Sequence, residues 1–252
     1  MKIDFPTPAS VPALRQLWKA AFGDTEGFLD CFFDTAFSPH RCRCVTVDGE
    51  IAAALYWFDV TCREQPMAYI YAVATAPAWR EQGYCRALME DTHRHLAALG
   101  YAGALLVPDG NALSRMYAGL GYKPCTTVSE LVCAASEDPA PMHRIDREEY
   151  ARLRRRLLPP GGVIQEGENL AFLERQATFY AGLGFLLAAF PEDDTLVGLE
   201  LLGNAAEAPG ILMALGLAYG RFRIPGGDEL FAMFLPLSPE AEAPGYFGLA
   251  FD

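Results

Sequence analysis

The chain has 252 residues, enough for one large domain or two small ones, and its 52% hydrophobic and 21% charged residues are typical of globular proteins. The formal net charge of −12 argues against nucleic-acid phosphate as a partner. An acidic surface attracts amines, so a cationic substrate is compatible with this charge, although the same charge also serves simply to keep a protein soluble.

The predicted elements of the first part begin with a short strand and a helix that Ser10 is expected to cap. Asp48-Gly49 is a strong hairpin signal, and Asn111 is expected to cap a later helix. The elements are strand 2–5, helices 11–22 and 28–37, strands 43–47, 51–61 and 68–75, a helix from Gly83 to Gly100, strand 104–107, helix 111–120 and strand 122–132. This order predicts a mixed sheet with helices on both faces, in which an antiparallel meander leads into a strand–helix–strand crossover.

The second part follows a polar, proline-containing segment that is predicted as a linker. Its predicted elements are helices 146–158 and 169–180, strands 185–190 and 196–202, helix 211–219, and strands 230–235 and 246–251. Their order looks like a shortened copy of the first part, without a repeat at the level of residues. We therefore predict a domain at 1–133, a linker at 134–144 and a second, smaller domain at 145–252.

Export, membrane insertion and metal binding are not indicated. The N-terminus has no apolar core of a secretory signal, and no stretch approaches ~18 uninterrupted apolar residues. The seven irregularly spaced cysteines do not resemble a disulfide framework. Cys42 and Cys44 have no matching second pair, and His93 and His95 are expected on the surface of a helix. We expect a cytoplasmic protein without a metal, a membrane or a nucleic-acid partner.

The turn between strand 68–75 and the next helix, which contains Arg80 and Gly83, is the most informative segment. A helix N-terminus presents unpaired N–H groups and a partial positive charge, which suit a phosphate. Gly83 allows close approach of the backbone, and Arg80 adds a charge-assisted contact. Without a Lys-Ser/Thr pair and with a single glycine, the turn matches neither a magnesium nucleotide site nor a dinucleotide fingerprint. A pyrophosphate held without metal remains, beside the alternative of a plain strand–helix connection.

Three motifs resemble the GNAT superfamily of N-acetyltransferases. The family's pyrophosphate loop, Gln/Arg-x-x-Gly-x-Gly/Ala, is similar to Arg80-Glu81-Gln82-Gly83-Tyr84-Cys85. The approach Val-x-x-x-Pro is similar to Val73–Pro77, and Tyr-x-x-x-Gly-Phe/Tyr is similar to Tyr117–Tyr122. The resemblance covers residues 2–132. It implies an α/β GNAT acyl-CoA N-acyltransferase fold, with residues 145–252 as a degenerate, smaller GNAT-like α/β domain that lacks the pyrophosphate motif.

The resemblance implies transfer of an acetyl group from acetyl-CoA to a primary amine. The pantetheine arm is then expected along the backbone of Val73, Ala74 and Thr75, and an N–H of Val73 or Ala74 polarises the thioester carbonyl. The loop from Arg80 to Cys85 takes the pyrophosphate. Tyr117 aligns with the family's general acid, the alternative being an aromatic residue packed in the core. Asn111 lies one position beyond the family's usual asparagine, whose place Gly110 takes.

Two departures from the family pattern concern the loop: Glu81 stands where glycine is usual, and Cys85 replaces a smaller residue. The general base is also not evident. Asp59 and Glu64 are candidates, and in some relatives with a further C-terminal domain the terminal carboxylate, here on Asp252, enters the active site. Tyr69 and Tyr71 share a face of their strand, where they line the acceptor site or pack in the core.

Several alternatives stay open at this stage. The acceptor is a small-molecule or peptide amine that the sequence does not identify, and transfer of a longer acyl group is an alternative to acetyl transfer. A CoA-binding sensor or scaffold that has lost catalysis is the alternative from a different class. The second domain shapes the acceptor pocket or forms the subunit interface of a homodimer.

Overall fold

The computed structural model of the protein describes residues 1–251, which form two compact units. The first unit combines Met1–Lys123 with Phe234–Ala243, and the second combines Pro124–Met233 with the segment that begins at Pro244. Each unit therefore includes a segment from the C-terminal part of the chain. This division differs from the predicted limits of 1–133 and 145–252.

The first unit contains a seven-stranded sheet with the order β1-β2-β3-β4-β5-β14-β6. Its strands are β1 (Lys2–Asp4), β2 (Cys42–Val47), β3 (Glu50–Cys62), β4 (Gln65–Thr75), β5 (Gly103–Leu106), β6 (Lys123–Pro124) and β14 (Met233–Pro236), and its helices are α1 (Val11–Phe22), α2 (Glu26–Thr35), α3 (Tyr84–Ala98) and α4 (Gly110–Ala118). The predicted hairpin at Asp48-Gly49 is confirmed: φ is 50° and 87° at these residues, as a type I′ turn requires.

Aromatic side chains fix the helices of the first unit on the two faces of its sheet. The ring of Trp18 on α1 lies 5.1 Å from that of Tyr56 on β3. Trp57, the next residue of β3, has its ring 6.3 Å from that of His95 on α3. Because successive residues of a strand point to opposite faces, α1 and α3 lie on opposite sides of the sheet. The predicted mixed sheet with helices on both faces is confirmed.

The second unit contains a second seven-stranded sheet, with the order β8-β9-β10-β11-β12-β7-β13. Its strands are β7 (Thr127–Ala134), β8 (Met142–Ile145), β9 (Thr178–Gly182), β10 (Phe185–Glu192), β11 (Thr195–Gly203), β12 (Tyr219–Pro225) and β13 (Glu229–Leu230), and its helices are α5 (Arg147–Leu157), α6 (Glu168–Glu174) and α7 (Ala208–Leu215). A core under α7 includes Phe185, Ile211 and Phe222, all buried.

One topology is repeated in the two units. The order β1-α1-α2-β2-β3-β4-α3-β5 recurs as β8-α5-α6-β9-β10-β11-α7-β12, short 3-10 turns aside. The strand after the last helix pairs in parallel in both cases, β5 with β4 and β12 with β11. The next position in each sheet is filled by a distant strand, β14 in the first and β7 in the second. The predicted copy therefore exists in topology.

Three predicted elements differ in the second unit and at its start. The predicted strand 122–132 is two strands, because Cys125 and Thr126 interrupt it and β7 pairs with β12 in the second sheet. The predicted helix 169–180 ends at Glu174, and Thr178–Gly182 pairs with β10 instead. β-Branched and aromatic residues in that stretch favour a strand. The predicted linker 134–144 includes the start of β8.

Two further predictions at the C-terminal end were wrong. The predicted helix 211–219 begins at Ala208 and ends at Leu215, where Gly216 takes a left-handed conformation with φ 70°. The following residues form β12, a strand that the sequence reasoning missed. The predicted strand 246–251 belongs to neither sheet within the described residues; Tyr246 forms an isolated bridge with Gly162.

The two predicted helix caps had different outcomes: Ser10 is the N-cap residue of α1, as predicted, but without a side-chain bond to the helix, whereas Asn111 does not cap α4. Ser10 already has helical dihedral angles, φ −82° and ψ −18°, and its Oγ accepts a hydrogen bond from the N–H of Thr7 rather than from α1. Asn111 is the second residue of α4, whose N-cap is Asp109. α1 spans the predicted residues 11–22, whereas α4 begins one residue before the predicted cap.

Candidate active site

β4 carries a bulge close to the point at which it leaves β5. The paired register of the two strands joins Met67–Tyr69 to Gly103–Leu105 and, within residues 1–251, ends there. Three residues later Ala72 has a φ of 48°, and Ala72 and Val73 together stand opposite Leu55 of β3. A left-handed alanine costs about 1 kcal/mol, and bulges of this kind commonly redirect a strand beside a functional site.

The backbone beyond the bulge faces the gap that opens between β4 and β5. Ala74 and Thr75 regain their pairing with β3, opposite Ala54 and Ala53, so only one edge of this segment is used within the sheet. The other edge of Val73–Thr75 is turned toward the side from which β5 has departed. A strand edge of this kind offers N–H and C=O groups to an extended ligand.

The turn after β4 leads directly into the 15-residue helix α3. Gly83, its N-cap, has a φ of 81°, and a Cβ added there would meet no atom of the described residues within 4 Å. Glycine is therefore required by the backbone conformation, and the space outside the helix start is open. Arg80 donates from Nε to the carbonyl of Thr75 (3.2 Å), and Gln82 donates from Nε2 to that of Ala78 (3.0 Å). These bonds hold the turn in place.

The two departures from the family pattern lie at this turn. Glu81 is exposed and takes a left-handed conformation with φ 62°, which glycine would adopt without strain. Cys85 is half-buried in the first turn of α3, and burial raises the pKa of its thiol, so that the thiol stays neutral. Tyr84 packs edge-on against Trp79, with ring centroids 5.9 Å apart.

Tyr117 lies in the last turn of α4, beside the start of α3. Its side chain is 7% exposed, and burial, reinforced by the nearby Cys85, raises its pKa above the ordinary value of a phenol. The hydroxyl therefore stays protonated at neutral pH. It makes no hydrogen bond to any of the residues that the structure describes. The structure thus brings Tyr117 close to Cys85 with its proton available, whereas Asn111 lies exposed on the first turn of the same helix.

The ring of Tyr117 contacts Tyr122, which in turn contacts His93, a residue that the sequence analysis placed on the surface. The two ring centroids are 5.8 Å apart, and the Tyr122 hydroxyl lies 2.8 Å from Nε2 of His93 on α3. His93 was expected on the surface, yet it is only 9% exposed, and burial lowers its pKa to about 4. The signal was available in the 3.6-residue period, which puts Cys85, Met89 and His93 on one face of α3.

The carboxylates considered as general bases lie far from the bulge. Asp59 stands opposite Ala68 on β4, four residues before Ala72, which corresponds to about 13 Å along a strand. Its oxygens accept hydrogen bonds from Tyr101 (2.5 Å) and Arg41 (3.4 Å). Glu64 lies beyond it, in the turn between β3 and β4. Asp252 lies outside the described residues.

Tyr69 and Tyr71 belong to a cluster of aromatic rings under α1 and α2. Tyr69 is 3% exposed and stacks on Phe58 with centroids 6.0 Å apart. Tyr71 is half-buried, 5.6 Å from Trp18. Tyr69 therefore packs in the core, and Tyr71 is the one of the two that retains an accessible side.

The corresponding helix start in the second unit has no such open turn. α7 has eight residues with Pro209 in its first turn and Glu207 as N-cap. The Glu207 carboxylate accepts a hydrogen bond from Nδ2 of Asn204 at 3.1 Å, so a negative charge lies at the helix start. Arg223, on the neighbouring strand β12, donates to the carbonyl groups of Leu199 (3.5 Å) and Gly248 (3.0 Å). Neither of these hydrogen bonds involves the start of α7.

A groove of about 400 Å³ lies on the second sheet, on the face opposite α7. Its charged lining includes Arg221, which pairs with Glu192 at 2.9 Å, and Arg223, which also packs over the ring of Phe231 at 4.5 Å. Because both arginines of the lining are already engaged, the groove does not resemble a phosphate site.

Residues 2–125 match the family model of the acetyltransferase (GNAT) domain. This part of the chain is a GNAT acetyltransferase domain. The predicted membership of residues 2–132 is thereby confirmed over nearly its whole length. No curated protein matches the chain.

Solved structures extend the likeness of fold to the whole chain. A GCN5-related N-acetyltransferase from Kribbella flavida is 18% identical with a TM-score of 0.74, covering 92% of this chain and 70% of that one. One from Anabaena variabilis is 14% identical with a TM-score of 0.75, covering 94% and 73%. Eis1 from Mycobacterium abscessus is 15% identical with a TM-score of 0.72, covering 96% and 75%. At these identities the likeness shows the fold, in which a GNAT domain is followed by a second α/β unit.

The described residues contain neither a membrane-spanning helix nor a cluster of metal ligands. No helix within residues 1–251 has the length and apolar character to cross a lipid bilayer. No group of three or more His, Cys, Asp or Glu side chains in the same part of the chain is arranged to hold a metal ion.

Proposed function

We propose that the protein is an acetyl-CoA-dependent N-acetyltransferase that moves an acetyl group to a primary amine. One observation carries the proposal: β4 separates from β5 at a strained bulge, the turn that follows ends at an open helix start at Gly83, and a buried, protonated Tyr117 lies near Cys85 in the first turn of that helix. These features suit an extended cofactor that has a phosphate end and a thioester end.

The residues present fit acetyl-CoA as co-substrate. The backbone edge of Val73, Ala74 and Thr75 would pair with the pantetheine arm, and the turn from Arg80 to Cys85 would hold the pyrophosphate at the N-terminus of α3. The open space at Gly83 supports this assignment, since no atom of residues 1–251 occupies it. Gln82, Tyr84 and, on the start of α4, Asn111 are further candidate contacts.

The acceptor amine must be neutral to attack the thioester carbonyl. A backbone N–H of Val73 or Ala74, redirected by the bulge, would donate to the carbonyl oxygen as negative charge develops there. The carbon–sulfur bond breaks with its electron pair on sulfur, and Tyr117 gives its phenolic proton to the sulfur. The ammonium group formed on the acceptor loses a proton to water, and the phenolate of Tyr117 regains one from solvent.

A water molecule is the base that the geometry favours. Asp59 is about 13 Å along the strand from the bulge and is occupied by Tyr101, so it is unsuited to take the proton of the amine. The net charge of −12 supports a cationic acceptor, either a small molecule or a peptide amine, because an acidic surface raises the local concentration of amines.

The test is release of free thiol from acetyl-CoA across a panel of polyamines, aminoglycosides, amino acids and peptides. We expect turnover with at least one amine, and a fall in kcat of about 100-fold in Tyr117→Phe. The matched control is Tyr180→Phe in the second unit, which should retain full turnover. Equal activity of Tyr117→Phe and wild type would overturn the role of Tyr117 as acid.

A CoA-binding sensor or scaffold is the second candidate. Glu81 favours it, because a carboxylate at the turn that would hold phosphate weakens anion binding. Tight binding of acetyl-CoA by calorimetry, without thiol release on any amine of the panel, would support the sensor. Transfer of a longer acyl group is distinguished by the same assay with propionyl-CoA and butyryl-CoA.

A further inference from the structure

One face of α3 connects the two ends of the proposed cofactor site. Cys85, Met89 and His93 recur every four residues, so they lie in a row along the helix. Cys85 belongs to the turn proposed for the pyrophosphate and lies near Tyr117. Met89 is fully buried, and His93 contacts Tyr122 two turns further on.

Tyr117 is held from the side by Tyr122 rather than by a hydrogen bond of its own. Their rings meet edge to face at 65°, with centroids 5.8 Å apart. The N–H of Tyr122 also donates to the carbonyl of Tyr117 at 3.1 Å, which ties the two residues through the backbone. The orientation of the Tyr117 ring therefore depends on where the Tyr122 ring is fixed.

The Tyr122 ring is fixed by its hydrogen bond to His93. The two side chains are 2% and 9% exposed, and their polar atoms lie 2.8 Å apart, so water does not compete for this bond. Because the imidazole is neutral at working pH, Nε2 and the hydroxyl form one hydrogen bond in either tautomer. Nε2 donates to the hydroxyl oxygen when it carries the proton, and it accepts from the hydroxyl when it does not. A phenylalanine at 122 would keep the ring but lose this anchor.

We propose that Tyr122, anchored by His93, is a positioning residue that holds Tyr117 at the sulfur of the thioester. The inference rests on the proposed function, since it assigns the residue that orients the proposed acid. In this proposal α3 relates the positions of the pyrophosphate and the thioester sulfur. The helix begins at the turn proposed for the pyrophosphate, and it also anchors the ring that orients Tyr117.

Three variants test the anchor by the split between kcat and KM. In Tyr122→Phe and His93→Leu we expect kcat to fall about tenfold, because small misplacements of a catalytic group are costly, while KM for acetyl-CoA stays within about twofold. In His93→Gln, whose amide reaches the position of Nε2, we expect kcat within about threefold of wild type. A uniform structural weakening would change KM as well and would not be rescued by glutamine.

The matched control is Tyr56→Phe, which removes another buried hydroxyl from the same unit. Tyr56 is 3% exposed and its hydroxyl has no hydrogen-bond partner among the described residues, so we expect kcat to stay within about twofold. The decisive combination is Tyr122→Phe in the Tyr117→Phe background, where no further loss of kcat is expected. An additional tenfold loss there, or a Tyr122→Phe enzyme within twofold of wild type, would overturn the proposal.

A second measurement separates this proposal from the proposed function. In protein labelled with 13C at the tyrosine ζ carbon, Tyr117 should give one sharp resonance, assigned by its absence in Tyr117→Phe. We expect this resonance to broaden or split in Tyr122→Phe and to be unchanged in Tyr56→Phe. An unchanged Tyr117 resonance in Tyr122→Phe contradicts the anchor, even if no amine is turned over. Absence of turnover with a broadened resonance contradicts only the proposed function.

Discussion

β4 of the first unit and β11 of the second each carry one extra residue relative to the preceding strand, and they differ in the residue at which pairing resumes. In both strands one extra residue shifts the register with the preceding strand, and pairing resumes at Ala74 and at Glu200. Ala74 has a small side chain and lies next to the gap beside β5. Glu200 is completely buried and bonds to Arg154 on α5 through two contacts of 2.6 and 2.9 Å. One topology thus places a small alanine at this position in one copy and a buried, ion-paired glutamate in the other.

The helices after these strands differ in the same direction. α3 has 15 residues and begins at a glycine with open space around it, whereas α7 has eight and begins at Glu207 and Pro209. A positive helix end is useful to an anion only where no carboxylate already lies there. The GNAT topology is thus repeated in the second unit without the open helix start on which the proposed cofactor site depends.

The largest expected effect is on the ionic core of the second unit. Glu200 also accepts hydrogen bonds from Tyr150 and Tyr246, both at 3.1 Å, so Glu200→Gln leaves the Arg154 charge buried without its partner. We expect a loss of about 3 kcal/mol or more in the free energy of unfolding, measured by urea denaturation. Glu192→Gln, which breaks the exposed pair with Arg221, should cost less than about 1 kcal/mol. Equal losses in the free energy of unfolding would contradict the contrast between the buried and the exposed ion pair.

The next effect distinguishes the units by pH. Burial lowers the pKa of His93 to about 4, below its unfolded value near 6.5, so the unfolded chain binds more protons between these pH values. The contribution of His93 to the free energy of unfolding is therefore complete above about pH 6.5. It is lost as the pH falls toward 4, by ~2 kcal/mol at pH 5. Urea denaturation at pH 7 and 5 should show this loss in wild type and a smaller one in His93→Gln. The control variant is His143→Gln, which replaces an exposed histidine of the second unit.

His93 also shows where sequence reasoning ends. The turn at Gly83, the order of elements and the position of Tyr117 follow from local signals: glycines, periodicity and motif spacing. Helical periodicity puts His93 on the same face as Cys85 and Met89, but it does not identify Tyr122, 29 residues away, as the partner that satisfies the buried imidazole, so the polar side chain gave the wrong exposure. The predicted strand 230–235 is two strands, β13 and β14, and no local pattern states that β14 joins the first sheet.

A smaller effect compares two glycines with the same backbone requirement. Gly83 and Gly216 have φ of 81° and 70°, and an added Cβ meets no protein atom within 4 Å at either position. Gly83→Ala and Gly216→Ala should therefore lose similar stability, about 1 kcal/mol each. Only Gly83→Ala should raise KM for acetyl-CoA, by about tenfold, because only there would a phosphate approach the backbone. An unchanged KM would place the pyrophosphate elsewhere.

The smallest effect concerns the residue at which the turn departs from its family. Glu81 and Asp193 both have positive φ, 62° and 52°, and both are exposed in turns, one in each unit. Replacement by glycine relieves similar strain in both, but Glu81→Gly also removes a carboxylate beside the proposed pyrophosphate. We expect KM for acetyl-CoA to fall about threefold in Glu81→Gly and to stay unchanged in Asp193→Gly. The fall in KM of Glu81→Gly should become smaller as salt is added, because salt screens the removed charge. A threefold gain that persists at 1 M salt would attribute the effect to the turn's conformation rather than to its charge.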